Sequence, residues 1–188
     1  MASLLSHAIA AVGIGTVFAQ RPLPKRAWVA GALCSVLPDV DVIGFRFGIH
    51  YGDFWGHRGF THSLLFAAIV ATVAALALAG KSELSRARSC TYLFIATASH
   101  GLLDSMTNGG LGVAFFSPFY NARYFLPWRP ILVSPISVTR FFSERGLAVL
   151  QSEVVWIWIP AALLAVLMLV VRRGIRQASE TSAPGINA

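Results

Sequence analysis

Apolar residues gather along the chain into five runs, residues 3–18, 27–37, 62–79, 90–106 and 154–171, separated by shorter polar or mixed stretches. Only the third and fifth approach the ~20 residues that a helix needs to span a bilayer. The first, second and fourth are short or carry polar residues. They must tilt, partly re-enter the membrane, or bury their polar faces against neighbours. The pattern predicts an all-α, polytopic membrane bundle of about five helices forming one domain over 1–176, with the polar stretch 177–188 as a disordered tail.

Between the fourth and fifth runs lies a long connection, 107–153, that is not low in complexity. Its Pro118, Pro127, Pro130 and Pro135 prevent one long helix. They are interleaved with Phe115, Phe116, Phe119, Tyr120, Tyr124, Phe125 and Trp128. Such aromatic density suits a lid or collar at the membrane interface.

Composition sharpens this picture. Charged residues make up only 12% of the chain, about half the share of a soluble domain. The net charge of +7 comes with no basic stripe interleaved with aromatics, so nucleic acid is not an expected partner. The expected partners are the bilayer and a lipid-derived substrate. Cys34 and Cys90 sit in separate apolar runs and read as buried thiols. No basic region precedes the first run, so it reads as retained and not as a signal peptide.

Basic residues suggest an orientation. Residues 21–26, 81–88 and 172–176 each contribute three. If the runs alternate in direction, these clusters share one side, which the positive-inside bias makes cytoplasmic. The other side receives Arg46, Arg58, Arg123, Arg129, Arg140 and Arg145, so the contrast is nine against six.

The chemistry-bearing residues obey the same alternation. His7 lies near the start of the first run, Asp39 and Asp41 just past the end of the second, His57 and His62 at the start of the third, and His100 and Asp104 near the end of the fourth. Start, end, start and end all map to one membrane face. Seven potential metal ligands are therefore expected to converge there, opposite the basic clusters. His100 and Asp104, spaced i, i+4, share a helix face. Asp39 and Asp41 follow a proline-led turn, where short carboxylates can ligate an ion or orient a histidine. Imidazole mixed with carboxylate points to a divalent metal, zinc first, with manganese or iron as alternatives. Seven donors exceed the three protein ligands of one catalytic zinc, leaving room for one or two ions.

Ionisable groups at a membrane boundary are costly and mark function. A bound metal acidifies its water to a pKa of about 7 and so enables hydrolysis. Arg58, Arg123 and Arg129, on the same face, are candidates to hold a phosphate. Asp39 and Asp41 are candidates to orient or deprotonate water, and Arg123 to steady the phosphate. The expected activity is a phosphoesterase acting on a phospholipid or lipid-linked phosphate. His50 and Asp53, in the glycine-rich FGIHYGDFWG stretch, read as loop residues.

At these residues the chain resembles the YdjM-like membrane-bound metal-dependent hydrolases. The resemblance rests on His7, LPDVD (37–41), HRGFTHSLLF (57–66), HGLLDSMTNGG (100–110) and SPFYNARYF (117–125), and covers roughly residues 1–135. It implies a multi-pass protein of the bacterial inner membrane with hydrolase activity. The positive-inside orientation places the site on the extracytoplasmic side. More distantly the pattern is similar to zinc-dependent phospholipase C, a parallel that casts Asp39, His57, His100 and Asp104 as ligands. The amino-terminal tryptophan ligand of those enzymes is absent, and no clear His and Glu pair follows Asp104. This disfavours a three-ion site.

Three other readings compete. A metal-free lipid phosphatase with a histidine nucleophile would use HGLLD, but its PSGH element is missing and no arginine lies shortly before His100. A metal carrier would place ligands near the midplane with access from both sides. A membrane protein that merely uses metal for stability needs no substrate.

Overall fold

A computed structural model describes residues 1–19, 23–78 and 85–181. Parts of the basic clusters at 21–26 and 81–88, and residues 182–188 of the tail, lie outside the described residues. The elements in order are α1 (Leu4–Phe18), α2 (Lys25–Val36), a 3-10 helix (Leu37–Phe47), a short 3-10 turn (Phe60–His62), α3 (Leu64–Ala77), α4 (Arg86–Ser105), α5 (Val138–Phe141), α6 (Glu144–Glu153), a π-helical turn (Val154–Trp158) and α7 (Ile159–Thr181). Among the described residues there is no extended strand, only isolated bridges at Thr107–Ile131 and Val113–Tyr124. The protein is all-helical.

Three helix starts follow from serine caps. Ser3, Ser63 and Ser85 accept hydrogen bonds from the backbone N–H groups of Ser6, Phe66 and Arg88. Each satisfies one of the amides that a helix N-terminus leaves without a partner.

Two elements run further than the apolar runs predict. The second run was expected to end at residue 37, but its helix tightens into 3-10 form and continues to Phe47. Pro38 suits the first turn of that segment. Gly48, at φ 80°, ends it in the left-handed conformation that a glycine adopts without strain. Lys25–Phe47 is thus 23 residues long and apolar enough to cross a membrane. The acids inside it, Asp39 and Asp41, lie in a helix and not in a turn.

The second extension alters the expected 107–153 loop. Past Pro135 no proline recurs until Pro160, so α5 and α6 can form, and Glu144–Ala178 becomes a second helix long enough to span. Pro160 removes one helical hydrogen bond and crowds the carbonyl four residues earlier. The π-helical turn directly before it absorbs that conflict by widening the helix locally.

At the centre stands α4, packed against α1, α2 and α3, while α1 also meets α7. Ala67, Ala71 and Ala75 form the buried stripe of α3, facing Leu93 and Ala96 of α4. Small residues at this spacing allow close helix approach in an apolar medium. Gly31 leaves room for the phenol of Tyr92, whose hydroxyl donates to the Ala11 carbonyl at 3.3 Å. Leu163, Val166, Leu167 and Val170 of α7 point outward, an apolar surface fit for lipid.

Candidate metal centre

Four elements converge on one buried point. α1 brings His7, the 3-10 helix brings Asp39 and Asp41, the turn before α3 brings His57 and His62, and α4 brings His100 and Asp104. Six of these seven form two donor groups, Asp39–His57–His62–Asp104 and His7–Asp39–His100, with the ligand atoms of each group within 4.8 Å of one another. All six are buried, and Asp39 belongs to both groups.

Hydrogen bonds fix which ring nitrogen His100 and His57 offer. His100 Nδ1 lies 2.7 Å from the carbonyl of Ser35. A carbonyl can only accept, so Nδ1 carries the proton and Nε2 presents a lone pair. That Nε2 stands 3.0 Å from His62 Nε2 and 3.3 Å from Asp39 Oδ1. His57 Nδ1 lies 2.7 Å from Asp41 Oδ1, which leaves Nε2 as its open nitrogen. His7 stacks on His100 with ring centroids 3.7 Å apart, and its Nε2 is 3.5 Å from Asp104 Oδ1.

Several buried polar atoms end at this point without a hydrogen-bond partner: both nitrogens of His7, both oxygens of Asp39 and Nε2 of His57. Burying such atoms unpaired is expensive. Their convergence is the signature of a cation site, and these groups could hold a metal ion.

Asp41, expected as a ligand, stands behind the donors. Its Oδ1 accepts a hydrogen bond from His57 Nδ1–H, and its Oδ2 accepts from the Thr61 hydroxyl at 2.7 Å and faces His62 Nδ1 at 3.2 Å. This is the carboxylate–histidine support that orients metal ligands. Burial pushes the His57 imidazole below its usual range, against the opposing hydrogen bond to Asp41. Burial acts on His62 in the same direction, but the facing carboxylates of Asp39 and Asp41 outweigh it and hold His62 at about 9.

The arginines expected at a substrate phosphate are placed differently. Arg58 is fully buried. Its Nε lies 3.0 Å from Asp104 Oδ2, and its Nη1 and Nη2 donate to the Gly109 carbonyl and the Thr107 hydroxyl at 2.9 Å each. Its backbone sits at φ 64°, a left-handed conformation costing a non-glycine residue of order 1–3 kcal/mol. Arg58 therefore ties the histidine loop to the end of α4. Arg123 donates to the carbonyls of His57, Tyr51 and Asp53, bracing the same loop, and burial lowers its pKa. Arg129 is exposed, with its guanidinium 4.7 Å from the centre of the Phe125 ring. None of the three reaches the donor groups as a free phosphate ligand. His50 pairs with Asp53 at the surface, away from the cluster.

One buried acid escaped sequence reasoning. Glu153, fully buried, accepts from the Ser3 amide, the Ser3 hydroxyl and the Ser6 hydroxyl. The Trp158 indole donates to Ser6 in turn. One residue earlier, the Ala2 amide donates to Asp104 Oδ1 at 2.7 Å. Consecutive amides at the start of α1 thus reach one acid on α4 and another at the end of α6, and this fixes the approach of His7. An isolated glutamate in a mixed stretch carries no sequence signal for that role.

The sequence pattern of the family described as YdjM inner membrane protein matches residues 1–177. The chain belongs to that family. Among curated relatives, the chain is similar to Inner membrane protein YbcI of Escherichia coli (strain K12), 38% identical over 164 residues that cover 87% of this chain and 95% of the relative. No solved structure matches. The YdjM family, this relative and the two helices long and apolar enough to cross a membrane together place the protein in the inner membrane.

Proposed function

We propose that this protein is a metal-dependent hydrolase, a phosphoesterase acting on a phospholipid or lipid-linked phosphate. The observation that carries the reading is the set of buried donor atoms without a hydrogen-bond partner on His7, Asp39 and His57. Imidazoles and carboxylates in this mixture suit zinc best, with manganese or iron as alternatives. The two donor groups argue for two ions sharing Asp39. Such ions supply Lewis acidity and an acidified water.

The chain's own residues divide the remaining work. His57 and His100 present lone pairs, His62 would do so once its second proton is displaced, and Asp39 and Asp104 bring negative charge. Asp41 holds His57 in the tautomer that leaves Nε2 open. Arg58 fixes Asp104, and Arg123 fixes the loop of His57. A cation held by these donors would supply the positive charge that a substrate phosphate needs, and Arg129 lies at the surface where a lipid headgroup would approach. Several passes through the inner membrane, with the basic clusters cytoplasmic, would put the site on the extracytoplasmic side.

A second reading is favoured by one observation. His7, His57, His100 and Asp104 have no accessible surface, as in a metal centre that only stabilises a fold. Metal analysis of purified protein beside Asp39→Ala, joined to a hydrolysis screen over phosphatidic acid and isoprenyl phosphates with and without EDTA, separates the two. The hydrolase reading expects metal and EDTA-sensitive phosphate release in the native chain alone. Metal without release supports the stabilising role, and no metal in either protein overturns both.

A further inference from the structure

A sealed donor cluster needs a way in, and one groove leads to its edge. It is a cavity of about 340 Å3 lined by Leu37, Val40, Ile49, Trp55 and Phe66, and its polar end is formed by Asp41 and Thr61. Asp41 is the carboxylate that holds His57 and His62, so the groove stops one side chain short of the donors. Both Asp41 oxygens are already engaged, by His57, Thr61 and the Arg58 amide, so no bare carboxylate faces the groove.

The walls say what surrounds it. Leu37 and Val40 belong to the spanning segment Lys25–Phe47, and Phe66 belongs to the apolar helix Leu64–Ala77. The groove opens between two apolar helical elements, one of them long enough to cross a membrane. Its rim residues Val40 and Trp55 are exposed, and an indole at such a rim suits the membrane–water boundary. The volume lies within the range of small-molecule sites.

We infer that this groove seats the acyl chain of a membrane lipid. The tail would be held by apolar burial at the groove walls, and the headgroup would arrive at the rim of the metal centre from within the bilayer. The assignment of the headgroup to a reaction rests on the hydrolase reading; the seating of the tail does not.

The test uses full-length protein in vesicles of phosphatidylethanolamine and phosphatidylglycerol, doped with phosphatidylethanolamine carrying a diazirine within one acyl chain. After irradiation, labelled peptides are mapped and bound metal is measured. Label is expected to concentrate in residues 37–49 and 55–66. Ile49→Trp, which fills the groove, should lower that label about tenfold, the response to ~1.4 kcal/mol of lost affinity. Metal content and labelling of the outward face of α7 should hold. Trp55→Ala, which removes a rim contact, should lower groove labelling in the same direction and guards against misfolding of the first variant. Label spread evenly over lipid-facing helices overturns the inference. So does label centred on the separate apolar cavity beside Ser3, Leu5, Ile136 and Leu150, or groove labelling unchanged in both variants. Groove label kept in a protein that never binds metal would end the hydrolase reading and leave the groove standing.

Discussion

His57 and Asp41 form a pair in which one ring nitrogen, Nδ1, lies 2.7 Å from a carboxylate oxygen while the other, Nε2, is buried without a partner. The pair explains why an acid outside both donor groups can still govern metal binding. Asp41→Asn keeps the size of the side chain and removes its charge. Metal affinity is expected to fall about 10–100-fold in a protein that still folds, as read by competition with a graded series of chelators. Unaltered affinity would mean that Asp41 orients nothing.

Protonation of His62 sets a pH signature for the metal-free protein. Its imidazole is held at about 9 by Asp39 and Asp41, above its unfolded value of about 6.5. The stability this contributes is complete below the unfolded value and is lost as pH rises through about 9. Metal must displace that proton. Chelated protein in detergent is therefore expected to lose thermal stability between pH 6.5 and 9.5, whereas metal-loaded protein should lose less. Proton release on adding zinc at pH 7 gives an independent measure.

Arg58 separates positioning from substrate binding. Removing one partner of a buried ion pair costs about 3–5 kcal/mol, and Arg58 also serves Thr107 and Gly109. Arg58→Ala is expected to collapse the yield of folded protein in size-exclusion chromatography. A well-folded variant with a raised KM would restore Arg58 to the phosphate.

Glu153 tests the anchor between α1 and α6. Glu153→Gln retains the shape but turns an amide N–H toward groups that donate from Ser3 and Ser6. Leaving such buried donors unsatisfied costs about 1–3 kcal/mol. A lowered unfolding temperature is expected, with metal still bound per chain because no donor is lost.

Much of this arrangement was legible in the order of residues. Helices that alternate in direction force His7, Asp39, His57, His62, His100 and Asp104 to one end of the bundle, whatever the packing details. The division of labour within that set was not legible. Asp39 and Asp41 are two residues apart and chemically identical; only the 3-10 helix, with about three residues per turn, turns one toward the donors and the other toward His57 and Thr61. Arg58 beside a histidine reads as a phosphate ligand until Thr107 and Gly109 are seen to take its N–H groups. The helix over 144–153 was hidden because the prolines before it made the whole connection look irregular. Glu153 finds its partners some 150 residues away, a separation at which no local pattern survives.

Asp39 occupies the vertex that both donor groups share, and this determines how the centre can be taken apart genetically. Any change at Asp39 disables both groups together and cannot distinguish one ion from two. The informative alleles lie at the outer corners: His57 serves only one group and His7 only the other. A strain carrying either single lesion would report on one half of the centre, and the two lesions combined would show whether the halves depend on each other.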